Sequence, residues 1–103
     1  MAHERGREVT SFLDELVTLG QHEHAAILRR LANGPHRFND LVEALPQLGD
    51  GTIGSGLRDL DNAGLVARRV EPGPPLRVLY ELTPAGGSLA PTLVALERWA
   101  AER

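Results

Sequence analysis

The chain has 103 residues, no cysteine and a formal net charge of −3. Its length suits one compact domain, and 42% hydrophobic with 24% charged residues is the balance of a globular chain rather than a disordered one. The missing thiols exclude disulfides, thiolate nucleophiles, thiol redox sensing and cysteine-type zinc sites, and no apolar run approaches the ~20 residues that span a bilayer. The charges of residues 1–8 are not followed by the apolar segment of a secretory signal, so the expectation is a cytoplasmic protein without cofactor or metal. All eleven basic residues are arginine. Arginine's planar fork suits phosphate, although a codon preference gives the same bias, and the acidic balance runs against the basic excess of most nucleic-acid binders.

Val9, Phe12, Leu13, Leu16 and Val17 keep the spacing of one helical stripe that Gly20 stops, which predicts a helix over 5–19. A second helix, 21–33, turns Ala25, Leu28, Leu31 and Ala32 inward and ends at Asn33-Gly34-Pro35. Arg37-Phe38 reads as a short extended stretch. Asn39 or Asp40 then caps a brief helix, 39–45, carrying Leu41, Ala44 and Leu45 and closed by Pro46. A fourth helix, 50–63, recurs at Ile53, Leu57 and Leu60, with Asp50 or Thr52 as N-cap and Gly64 as stop. Gly51, Gly54 and Gly56 also lie in it, each costing roughly 1 kcal/mol against alanine, so packing of the apolar stripe must hold it.

Beyond Gly64 the period drops from 3.6 to 2. Residues 65–70 and 76–82 read as strands joined by the stiff turn Glu71-Pro72-Gly73-Pro74-Pro75, with Val78, Tyr80 and Leu82 on one face. Thr83 caps a last helix, 84–102, with Pro84 at its first position and Leu89, Leu93, Leu96 and Ala100 in a stripe; Gly86-Gly87 weakens its first turns.

This order predicts a mainly α fold with a β-hairpin wing. It is a winged helix-turn-helix with a three-helix core (21–63), a wing (65–82) and terminal helices in one domain spanning 1–103. Phe12, Leu16, Leu93, Leu96 and Trp99 exceed what so small a core absorbs, which points to a two-fold homodimer; the alternative is that the terminal helices fold back on their own core. Trp99 anchors that dimer or lines an effector pocket.

Ile27-Leu28-Arg29-Arg30-Leu31 is followed by Gly34-Pro35-His36-Arg37-Phe38-Asn39-Asp40-Leu41. The strings Leu57-Arg58-Asp59-Leu60, Gly64-Leu65-Val66-Ala67-Arg68, Arg77-Val78-Leu79-Tyr80-Glu81-Leu82-Thr83 and Leu93 to Trp99 come after them in fixed order. Over residues 22–100 these strings resemble the HxlR-type (MarR-like) bacterial transcriptional regulators. The resemblance implies a dimeric winged-helix repressor or activator on a pseudo-palindromic duplex DNA operator, dimerised by its terminal helices and reading bases with the helix at 50–63. Members that sense electrophiles use a cysteine near the start of the domain. This chain has none, so any small-molecule effector is sensed non-covalently. Where the family carries Ser, Gln, Lys, Thr and Arg on the reading helix, this chain has Gly49, Asp50, Gly51, Gly54, Ser55 and Gly56.

The expected DNA contacts are Arg37, Asn39, Thr52, Ser55, Arg58, Arg69 and Arg77. Gly51, Gly54 and Asn62 share the outward face of the reading helix, and its glycines offer no donor to a base edge. Arg58 has a structural alternative, an ion pair with Asp14, Asp59 or Asp61. Residues 28–40 set Arg29, Arg30 and Arg37 against Asp40, and residues 65–77 set Arg68, Arg69 and Arg77 against Glu71; both segments border the groove-facing surface. A second functional reading takes the bare glycines as room for a small molecule or protein partner in a winged helix that no longer binds DNA. An enzyme is not expected. His22 and His24 point about 200° apart on a helix and read as surface residues, and His36 reads as a solvated loop residue rather than a pH sensor. The serines lack His/Asp company, and residues 49–56 lack the Lys-Ser/Thr ending of a phosphate loop.

Overall fold

Residues 22–103 are described by a computed structural model; the helix expected over 5–19, with Phe12 and Leu16, lies outside the described residues. Helix α1 (His22–Leu31) turns Ile27, Leu28 and Leu31 inward. They meet Leu41 of α2 (Phe38–Ala44) and Ile53, Leu57 and Leu60 of α3 (Asp50–Asn62). Leu65, Val66 of β1 (Val66–Glu71) and Leu93 of α4 (Pro84–Ala101) complete this core, with Tyr80 and Leu82 of β2 (Arg77–Leu82) packed on its edge. Each fully buried aliphatic side chain contributes about 1.5–3 kcal/mol, which offsets the glycine-weakened propensity of α3.

Element ends shift by one or two residues from the sequence reading throughout, and two helices start at other caps than expected. Helix α2 begins at Phe38 because Arg37, not Asn39 or Asp40, is the N-cap. Asp40 sits at the third helical position, and its Oδ2 accepts from the Arg37 backbone N–H at 3.0 Å, the returning half of a capping box. Of the expected extended pair, Arg37 is extended (φ −76°, ψ 161°) and Phe38 is helical. The residue that pairs as a strand is His36, whose N–H and C=O both bond Tyr80, at 2.9 and 2.8 Å, and add a one-residue third strand beside β2. Helix α3 is capped by Gly49 at φ 75°, a conformation that favours glycine, so Thr52 lies inside the helix and neither Asp50 nor Thr52 is the cap.

At its other end Gly64 (φ 78°) donates to Asp61 O and Leu65 N to Leu60 O, the paired bonds of a Schellman stop that aims the chain into β1. The strands pair antiparallel from Val66↔Leu82 to Glu71↔Arg77. Thr83 Oγ1 accepts from Gly86 N at 3.1 Å and donates to Gly64 O at 2.6 Å, so one hydroxyl caps α4 and ties it to the end of α3.

The two adjacent glycines of α4 have opposite roles. A Cβ on Gly86 would overlap the Leu65 carbonyl oxygen, whereas one on Gly87 meets open space. Gly86→Ala is expected to lower stability by about 1–3 kcal/mol, and Gly87→Ala to raise it by up to ~1 kcal/mol. Urea unfolding of the two variants checks this, and equal effects would refute the close approach. Among the described residues, no helix is long and apolar enough to cross a membrane.

Candidate nucleic-acid interface

At 100° per residue, the outward centre of α3 carries Gly51, Ser55, Arg58 and Asn62, opposite the buried stripe of Ile53, Leu57 and Leu60. Gly54 and Gly56 flank that stripe on either side. A Cβ on Gly54 would rest 3.8 Å from the Phe38 ring, and one on Gly56 only 2.7 Å from Ile27 Cδ1. Two of the three α3 glycines thus face protein. Gly56 is the close-approach point of α1 and α3, and Phe38 brings the start of α2, with exposed Arg37 and Asn39, alongside the reading face. This corrects the view of that face as stripped by glycine, because only Gly51 leaves an open bare position.

The arginines divide by their partners. Arg29 Nε reaches Glu97 Oε1 at 2.7 Å and clamps α1 to α4, so it does not join a DNA-facing rim. Arg37 Nε donates to Asp40 Oδ2 at 3.3 Å. Together with the Arg37 backbone N–H, which acts first, it holds the Asp40 carboxyl below the usual carboxylate range. Arg69 meets Glu81 at 3.1 Å and Glu71 at 3.6 Å. Strand alternation explains this, since Arg69 shares a hairpin face with both acids, while Arg68 lies on the other face opposite Tyr80.

Arg58, Arg68 and Arg77 are exposed and make no ion pair among the described residues. The expected pairing of Arg58 with Asp59 or Asp61 does not form, and Asp14 lies outside the described residues. Among the expected contacts, Thr52, Ser55, Arg58 and Arg77 are exposed, Asn39 stands at the start of α2, and Arg37 and Arg69 are already neutralised. Arg68, named in the sequence only as part of the segment 65–77, is exposed as well, and strand alternation separates it from Glu71 and Glu81.

Neither His24 nor His36 is the surface residue expected. His24 is 2% exposed, and its Nε2–H donates to Asp59 Oδ2 at 3.0 Å, joining α1 to α3. His36 is half-buried: its Nδ1–H donates to Gly34 O at 2.6 Å and its Nε2 accepts from Arg30 Nε at 3.2 Å. Those partners assign the neutral Nδ1–H tautomer. An open cleft of about 480 Å³ lies beside it, lined by Arg30, Pro35, His36, Asp40, Glu43 and Ala44. Leu93, expected at the dimer face, is 5% exposed in the protomer's own core. Leu96 and Trp99, one and two turns further, are 52% and 57% exposed.

The profile of the HxlR-like helix-turn-helix family matches residues 18–103. The HTH-type transcriptional regulator YvaP of Bacillus subtilis is 40% identical over 78 residues, covering 76% of this chain and 72% of that protein. YodB, also an HTH-type transcriptional regulator of B. subtilis, is 30% identical over 82 residues, covering 80% of this chain and 73% of YodB. The reduced form of YodB superposes with a TM-score of 0.82 at 28% identity, covering 87% and 88% of the two chains. The redox regulator HypR in its oxidised form superposes at 0.80 and 25% identity, covering 90% of this chain and 96% of HypR. With its three-helix core, its hairpin wing and these matches, the chain belongs to the HxlR-like helix-turn-helix family and is a winged helix-turn-helix transcriptional regulator.

Proposed function

We propose that two copies of this chain pair through the exposed turns of α4 and grip a two-half-site duplex operator. In this reading α3 enters the major groove and the wing follows the backbone. The observation that carries it is the trio Arg58, Arg68 and Arg77, exposed on α3 and the hairpin without carboxylate partners among the described residues, in a chain whose net charge is otherwise acidic. Thr52, Ser55, Asn39 and the Arg37 fork add shorter contacts at the edge of the same face. The regulator acts in the cytoplasm, where operator DNA lies. It performs no catalysis, and any effector is held non-covalently, since none of the 103 residues offers a thiol. YodB and HypR, whose solved structures include reduced and oxidised forms, are the relatives against which that difference is measured.

Fluorescence anisotropy on a duplex selected from a random pool tests the proposal through salt. Arg58, Arg68 and Arg77, the arginines of the reading helix and wing without an ion pair among the described residues, would neutralise about six phosphates per dimer. The logarithm of affinity should then fall against the logarithm of salt with a slope near −5, a loss of about 10³ between 50 and 200 mM. A slope near zero, or no retained duplex at 50 mM, would refute it.

A further inference from the structure

Asp59 is an acid on the DNA-side half of α3, where elementary electrostatics makes it a liability, yet the fold spends a buried histidine on it. The helical wheel puts Thr52, Gly56 and Asp59 on the flank of α3 that meets α1. At Gly56 side chains of α1 rest directly on the backbone of α3: a Cβ there would lie 2.7 Å from Ile27 Cδ1 and 3.6 Å from His24 Cδ2. Helices resist rolling on one another because side-chain ridges lock into grooves. A glycine at the crossing removes the ridge on the α3 side. One turn further on, the same flank regains a directional tie in the 3.0 Å bond from His24 Nε2–H to Asp59 Oδ2, whose donor is 2% exposed.

We infer that Asp59 is a positioning residue for operator recognition, and that the His24–Asp59 bond fixes the rotation of α3 and thereby the aim of Arg58 and Ser55. The inference rests on the DNA-binding reading above. A side-chain atom about 6 Å from the helix axis moves by about 1 Å when the helix rolls by ~10°. Such a shift takes a hydrogen bond near 2.9 Å out of range. Loss of the tie therefore erodes contacts to base edges, which demand geometry, and spares the attraction to phosphates, which does not.

Charge and geometry predict opposite outcomes for removal of this acid. Asp59→Asn removes the negative charge and keeps an acceptor oxygen for His24; Asp59→Ala removes both. Affinities are measured on a duplex enriched by the wild-type protein from a random pool and on an unselected duplex, with unfolding midpoints recorded alongside. Asp59→Asn is expected to bind the selected duplex at least as tightly as the wild type. Asp59→Ala is expected to bind it at least 10-fold more weakly, while matching or exceeding the wild type on unselected duplex. His24→Gln, a second route to the same loss, should lower the ratio of selected to unselected affinity, and combined with Asp59→Ala should lower it no further. Asp59→Ala binding the selected duplex as tightly as Asp59→Asn overturns the inference and leaves Asp59 a plain repulsive charge. Failure of the wild type to enrich any duplex is a different result, which overturns the DNA-binding reading and this inference with it.

Discussion

Arg58→Ala is expected to weaken operator binding by at least 10-fold, with unfolding unchanged. Arg58 is exposed on the outward face of α3, beside Gly51 and Asn62 on the wheel, and makes no ion pair among the described residues. Its removal costs no internal contact, so the whole effect falls on the bound state. A bidentate arginine–guanine contact is worth about 1–3 kcal/mol, and 1.4 kcal/mol is a factor of ten. Neighbours do not compensate, since Ser55 is short and Gly51 has no side chain. Arg69→Ala is the internal control. Arg69 is held by Glu81 and Glu71, and deleting it frees two carboxylates but removes no available cation, so its effect on specific affinity should stay within about threefold. Equal losses at the two positions in a binding assay would mean that arginine number, not placement, governs affinity.

The second large effect is expected at Leu96. Beyond Leu93, α4 leaves the core, and its last two turns present Leu96 and Trp99 more than half exposed, with the Arg103 guanidinium 4.7 Å over one face of the indole. Large side chains left this open on a small domain are expected to find cover, and a two-fold axis through α4 supplies it from the second copy. Because each substitution occurs twice in such a dimer, Leu96→Asp places two charges in the buried strip. Sedimentation at micromolar concentration should change from dimer to monomer. Affinity for a two-half-site duplex should then fall by 100-fold or more, because the second half-site no longer benefits from effective concentration. Wild-type protein that sediments as a monomer would refute the paired arrangement outright.

Periodicity carried much of this architecture. The stripe Ile53, Leu57 and Leu60, the drop to period 2 after Gly64, and the Thr83-Pro84 start of α4 depend on local stereochemistry, and the structure places each where the pattern did. What escaped the sequence depends on contacts between distant segments. Gly56 reads as a weak point until Ile27, 29 residues earlier, lies against it. His24 reads as a surface residue on its own helix, because its partner, Asp59, is 35 residues away. Counting charge by segment overstated the cationic rim, since Arg29 is clamped to Glu97 across 68 residues and Arg69 to Glu81 across the hairpin. Counting by hairpin face would have separated Arg68 from Arg69. The start of α2 was missed by one residue, because an arginine is an unusual N-cap and Asp40 supports the turn from inside it.

The one-residue strand at His36 has a mechanical consequence. Two main-chain bonds to Tyr80 fasten the hairpin to the loop between α1 and α2, so the wing cannot swing as a free two-stranded arm. The opening between wing and reading helix is then set when the chain folds, like the jaws of a calliper locked before measurement. A duplex that already has the matching groove width is gripped without ordering cost, while one that must be bent or widened bears the whole deformation itself.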